Sequence, residues 1–172
     1  MSTMPTKDLY SPENQRNARH TKGMYEKIMG GLTKCPFCDL KAKYFVAEGD
    51  HCVLTANLFP YIDGHLLILP KRHVEKSEDL SAEEWQEVHK FFALAKRRLR
   101  KELGSDSFVF LYREGKESDS SLGHTHFHVI PMGEHRVIQK NAVELKYTPI
   151  EVIKKLRKAG RVRKVSKANG KN

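Results

Sequence analysis

The stretch GHTHFHVIP, residues 123–131, carries histidines at 124, 126 and 128 and then turns to apolar residues and a proline. Alternation with Val and Ile suits a pleated strand, not a helical stripe. Side chains of a strand alternate between faces, with a rise of ~3.3 Å per residue. His124, His126 and His128 are therefore expected on one face, ~6.5–7 Å apart. Phe127 and Val129 turn into the core, with Thr125 a polar exception. Three chemistries suit such a face. The imidazoles can be bonded to local carbonyls. They can hold a metal, since imidazole is a common zinc ligand. One can act as a nucleophile at phosphorus, its neighbours orienting it and stabilising charge on the phosphoryl oxygens.

Cys35-Pro-Phe-Cys38 has the spacing of a zinc knuckle, which a redox pair shares. No second Cys-x-x-Cys exists, so further metal ligands would have to be histidines. The third cysteine, Cys52, lies in strand-like sequence and reads as core packing. An odd cysteine count without an apolar leader in MSTMPTKDLYSPENQRNARH favours a reducing, cytoplasmic setting. No apolar run approaches the ~20 residues that span a bilayer, so no membrane role is expected.

Strands and helices can be read around these groups. HCVLTANLFP and GHLLILP read as strands, with the turn residues of NLFPYIDGH between them. Ser81 to Leu103 reads as a helix, with Ser81 and Glu84 forming a capping box and Gly104 as the stop. Trp85, Val88, Phe92, Ala95 and Leu99 lie at helical spacing on its expected core face. FVFLYREG and HTHFHVIP are further strands, and a short helix is expected from Pro149 to Lys158. The order implies one α+β domain: an antiparallel sheet of about five strands, one long amphipathic helix and one shorter one. Residues 1–34 form a polar extension, with a helix expected around Gln15–Met29; the body runs over 35–150, and the short helix and basic tail over 151–172.

The formal charge of +10 suggests a nucleic-acid partner until it is located. Nine Lys and Arg and no acid fall in residues 154–172, leaving the rest of the chain at +1. The basicity thus belongs to an appendage, either a solubilising tail or a nucleic-acid contact with strong salt dependence.

Taken together, these motifs resemble the histidine-triad (HIT) superfamily of nucleotide hydrolases and transferases. His-x-His-x-His with two apolar residues is similar to its signature, and NLFPYIDGHLLILPKRHVEKSEDLSAEE to its first half. CPFC resembles the zinc-bearing branch, which is similar to diadenosine tetraphosphate phosphorylases. The resemblance covers roughly Cys35 to Pro131. It implies His126 as nucleophile toward the α-phosphorus of a dinucleoside polyphosphate or nucleoside phosphoramidate, through a nucleotidyl-histidine intermediate. It implies His128 near the phosphate or leaving group, Asn57 on the ribose and His65 near the site. It also implies one structural zinc on Cys35, Cys38, His73 and His124, and a homodimer built through sheet and long helix. Phe91 and Leu94 would supply surplus apolar surface for that pairing.

Two departures stand out. The family usually has Asn-x-Gly ahead of the triad, where this chain has Arg113-Glu114-Gly115. Arg113 can contact phosphate bidentately or stay a solvated strand-end charge. The glutamine often found four residues before the first histidine is Ser120 here, followed by Ser121. A serine has one hydroxyl where glutamine offers two N–H donors, so either serine would serve the leaving group differently. Two alternatives remain open: a catalytic metal centre built on the histidines, and a nucleic-acid-associated deadenylase or binding module that uses the tail.

Overall fold

The computed structural model describes residues 31–115, 123–132 and 146–158. The helix expected around Gln15–Met29, Ser120, Ser121 and the tail beyond Lys158 lie outside the described residues.

Five strands make one antiparallel sheet: β1 Phe45–Glu48, β2 Cys52–Ala56, β3 Leu66–Pro70, β4 Ser107–Tyr112 and β5 Phe127–Met132, ordered β1-β2-β3-β5-β4. Among the described residues two α-helices, α1 Ala82–Leu103 and α2 Pro149–Lys158, join the sheet in an α+β fold. No helix among the described residues is long and apolar enough to cross a membrane.

Period-2 alternation divides the sheet. Leu54, Leu66, Ile68, Phe127 and Val129 join Val88, Phe91, Ala95 and Leu99 of α1 and Val152, Ile153 and Leu156 of α2 in the main core. The opposite face carries a smaller cluster of Val53, Leu67 and Leu69, against which Phe37, Leu40 and Phe45 pack. His128 alternates with Phe127 and Val129, so it belongs to this second face. The helices cover one face, and His128 lies on the other.

Helix α1 begins and ends as its sequence dictates. Ser81 Oγ accepts from the Glu84 N–H at 3.2 Å, and Glu84 Oε2 accepts from the Ser81 N–H at 2.7 Å. Gly104, at φ 67°, closes it in the left-handed conformation. Its core stripe differs from the sequence reading. Phe91, not Phe92, is buried at the centre, and Trp85 is 42% exposed. The stripe also contains acids: Glu87 accepts from the backbone N–H groups of Asp50, His51 and Cys52 at 2.7–2.9 Å. Those donors belong to the β1–β2 hairpin turn, so one carboxylate holds the helix to the hairpin. A Cβ on Gly49 would fall 2.4 Å from a Glu87 carboxylate oxygen, which explains glycine at this close approach.

Helix α2 docks on the same core, and its Arg157 is spent internally: Nε donates to the Phe45 carbonyl at 2.8 Å. Asp63 accepts from the backbone N–H groups of Lys146 and Tyr147, fixing the entry to α2.

Candidate functional site

The loop joining β2 to β3 carries the first part of the site. Asn57 Oδ1 accepts from the Phe59 N–H at 2.9 Å, closing an Asx turn. Gly64, at φ 82°, comes immediately before His65, and a Cβ there would meet Leu103 at 2.6 Å. Only glycine suits this turn, and the turn aims His65 under the sheet.

His65 is almost fully buried. Its Nδ1 accepts from the backbone N–H of Tyr61 at 3.1 Å and faces the Asn57 amide nitrogen at 3.2 Å. A ring nitrogen that accepts carries no proton, so the hydrogen of neutral His65 sits on Nε2. That Nε2–H points at His128 Nδ1, 2.9 Å away. His128 Nδ1 is then the acceptor, and its own hydrogen sits on Nε2. One backbone N–H thus sets two tautomers in series, and His128 presents an N–H donor.

His126 has the opposite polarity. Its Nδ1 lies 2.8 Å from the His124 carbonyl, which can only accept. Nδ1 therefore carries the hydrogen, and the Nε2 lone pair is available. The His126 and His128 rings are 4.9 Å apart. An acceptor and a donor stand side by side, an arrangement suited to attack by one ring while the other stabilises an oxygen.

The ladder of β5 begins only at Phe127, so His124 and His126 lie in its lead-in. The lead-in is held by Thr125, whose N–H donates to the Val74 carbonyl at 2.6 Å. This bond brings His124 beside the segment that follows β3, and so beside His73.

There Cys35, Cys38, His73 and His124 place one ligand atom each within 4.8 Å of one another. Cys35 Sγ and Cys38 Sγ lie 3.4 and 3.5 Å from His124 Nδ1, and Cys38 Sγ lies 3.3 Å from His73 Nδ1. A tetrahedral zinc with its usual S and N bond lengths requires S···N edges of ~3.5 Å. The second shell agrees. His124 Nε2–H donates to the Pro70 carbonyl at 3.1 Å, leaving the Nδ1 lone pair turned to the sulfurs. Two sulfurs share that one lone pair, which a single S–H···N bond cannot explain. The donor set can therefore hold a metal ion. His126 and His128 are not part of this cluster.

Two aromatic side chains that the sequence reading passed over frame the pair. Phe37, inside the cysteine knuckle, sets its ring edge-on to His126 at 5.1 Å and to His124 at 5.7 Å. Tyr61 stacks on His128 with centroids 6.0 Å apart and planes 10° apart. An aromatic in each of CPFC and PYIDG was the available signal. Beyond Tyr61, the Arg113 guanidinium lies 5.8 Å from the tyrosine ring centre. Arg113 therefore lies beside Tyr61 and near the histidine rings. Gly115, at φ 84°, ends that segment.

The electrostatics follow from burial. His128 is pushed down to about 3, first by burial and then by His126 and Arg113. His65 is lowered by burial, His128, His126 and Arg113, in that order. Burial lowers His126 too, opposed by its bond to the His124 carbonyl. The row is therefore neutral near pH 7, as its tautomer pattern requires. His128 faces His65, His126, Tyr61 and Arg113. The unfolded chain binds a proton there near pH ~6.5, whereas the folded chain does so only near 3. Between these values the unfolded state holds more protons, so stability falls as pH falls. Urea titrations from pH 6 to 4 should show a pH slope larger in wild type than in His128→Asn by about 1.4 kcal/mol per pH unit, one proton's worth. Equal slopes would contradict the buried neutral ring.

Comparison with known proteins bears on the family and the fold. The model of the HIT domain matches residues 41–135. A HIT-like protein of Mycoplasma genitalium is 28% identical over 109 residues, 59% of this chain and 75% of that one. A bis(5'-adenosyl)-triphosphatase of Dictyostelium discoideum is 31% identical over 75 residues, 44% of this chain and 50% of that one. Among solved structures, a hypothetical histidine triad nucleotide-binding protein from Sulfolobus tokodaii shares the fold at a TM-score of 0.61 and 24% identity, covering 73% of this chain and 91% of that one. A zinc-bound histidine triad protein from Mycobacterium smegmatis does so at a TM-score of 0.60 and 19% identity, covering 73% of this chain and 95% of that one. With that domain spanning more than half of its length, the chain belongs to the HIT family.

Proposed function

We propose that the chain is a nucleotidyl hydrolase or transferase in which His126 attacks the α-phosphorus of a nucleotide. The observation that carries this reading is the bond from His126 Nδ1–H to the His124 carbonyl, which leaves the Nε2 lone pair beside a neighbouring N–H donor. In the first half-reaction a bond forms between Nε2 and the α-phosphorus. The bond to the leaving group breaks, and its electron pair goes to the leaving atom. His128 Nε2–H donates to a phosphoryl or leaving oxygen and stabilises its charge. In the second, water or inorganic phosphate displaces His126 from phosphorus and regenerates the free ring.

His65 serves as a positioning residue that keeps the His128 tautomer, and Asn57 keeps the loop that carries it. Gly115 would contribute to nucleotide binding, and either Ser120 or Ser121, which lie outside the described residues, would serve the leaving group. Cys35, Cys38, His73 and His124 would hold one zinc ion, which supplies a structural cross-link when bound. Because the His124 carbonyl also orients His126, that cross-link would help keep the nucleophile in place. A second copy of the chain is the proposed partner, covering the exposed aromatics Trp85 and Phe110 on α1 and β4.

The Dictyostelium relative's name supports a dinucleoside polyphosphate as the first substrate to try. Turnover of diadenosine tetraphosphate in ¹⁸O-labelled water should put the label in AMP, since attack at the α-phosphorus transfers adenylyl. Label in ATP would mean attack at the β-phosphorus and would overturn the reading.

A further inference from the structure

We propose that Arg113 selects for substrates whose leaving group is a phosphate chain, by pairing with that chain's anionic oxygens. The inference rests on the proposed reaction and deepens it.

Arg113 follows directly on β4, whose Leu111 and Tyr112 pair with His128 and Phe127 of β5. One step further along, Arg113 comes level with His126, and alternation gives it the face of Leu111 and the histidines. Its guanidinium lies against Tyr61, whose ring also contacts the His65 and His128 rings. Arg113, Tyr61 and His128 therefore form a stack at the edge of the site. The positive charge is felt by the buried rings: it contributes to lowering His65, His126 and His128.

The adjacent acid does not neutralise it. Glu114, on the opposite alternation, accepts from Tyr112 Oη and, at 3.1 Å each, from the N–H and Oγ of Ser77. Glu114 is thus spent in tying β4 to the segment after His73. Among the described residues, no Asp or Glu forms an ion pair with Arg113. A half-buried guanidinium with one face on an aromatic ring keeps its edge N–H donors for a planar or tetrahedral oxyanion.

The chemistry of departure then decides which substrates benefit. A phosphate chain leaves as an oxyanion and needs no proton. A guanidinium beside the breaking bond stabilises the charge that develops there. The nitrogen of a phosphoramidate must gain a proton to leave as an amine, and a neighbouring fixed cation opposes that positive charge. Arg113 therefore favours anionic over amine leaving groups.

The test compares wild type, Arg113→Met and Arg113→Lys on diadenosine tetraphosphate and on adenosine 5'-phosphoramidate. Methionine should lower kcat/KM for the tetraphosphate by about 10- to 100-fold, the range of a charge-assisted hydrogen bond, and that for the phosphoramidate by much less. Lysine, charged but without the fork, should recover part of the loss. An equal loss on both substrates, or none on either, would overturn the proposal. A second arm needs no turnover. In a His126→Asn background, Arg113→Met should weaken equilibrium binding of ATP by a similar factor and that of AMP far less. If wild type turns over neither substrate, the reading of His126 fails, and the binding arm still decides Arg113: equal effects on ATP and AMP would reject it.

Discussion

Replacing His126 with asparagine is expected to lower kcat by at least roughly 10⁴-fold, the scale of losing a covalent nucleophile, while nucleotide binding survives. The variant is informative because of what it keeps. An asparagine side chain has an N–H donor near the position of the ring Nδ1, so it can still bond to the His124 carbonyl, which His126 Nδ1 meets at 2.8 Å. What disappears is Nε2, the one atom proposed to attack. The His65–His128 chain and the Cys and His cluster lie on other residues and should persist. A loss confined to kcat is therefore expected, with KM changing little. Turnover within about 10-fold of wild type would remove His126 from the nucleophile's role.

Much of this site was legible because its residues announce themselves by type and spacing. Three imidazoles at period 2 imply one face, and His126 and His128 do share one. Four soft ligands in CPFC, at His73 and at His124 do converge. The ends of α1 were readable because its cap and stop act within a few residues of the chain. Its core face was not. Apolar residues at 85, 88, 91, 92, 94, 95 and 99 offer overlapping stripes, and the choice is made by the β1–β2 hairpin that Glu87 clamps. Phe91 fills the core for that reason, and the surplus surface expected of it instead lies on Trp85 and Phe110. The tautomer relay was hidden for a similar reason. It runs from Tyr61 through His65 to His128, 63 residues further on, and only the β3–β5 pairing brings those rings together. The position of Arg113 likewise depends on which face of β4 it inherits.

Loss of the metal ligands should have the largest effect on stability. Purified protein should contain one zinc per chain by elemental analysis. Cys38→Ser should abolish that content, because Cys38 lies against both His73 and His124. The four residues come from the knuckle, the segment after β3 and the lead-in to β5, so the ion would close a loop spanning 89 residues of sequence. Structural zinc sites contribute folding free energy directly. If several kcal/mol are lost, the melting temperature should fall by roughly 10 °C for a chain of this size. Chelation of wild type should produce the same fall, and zinc should restore it. A metal-free preparation melting at the wild-type temperature would rule the site out. In the chelated protein the His126 imidazole signals in NMR should also broaden or shift, since its orienting carbonyl belongs to the ligand His124.

The central claim, a covalent nucleotidyl-His126 intermediate, is tested most directly by mass spectrometry of protein quenched within milliseconds of mixing with an adenylyl substrate. The account predicts a mass increase of one AMP on the intact chain, mapped by peptide fragmentation to His126 and absent from the His126→Asn variant. An adduct on another residue, or rapid turnover with no adduct under conditions that preserve phosphohistidine, would contradict it.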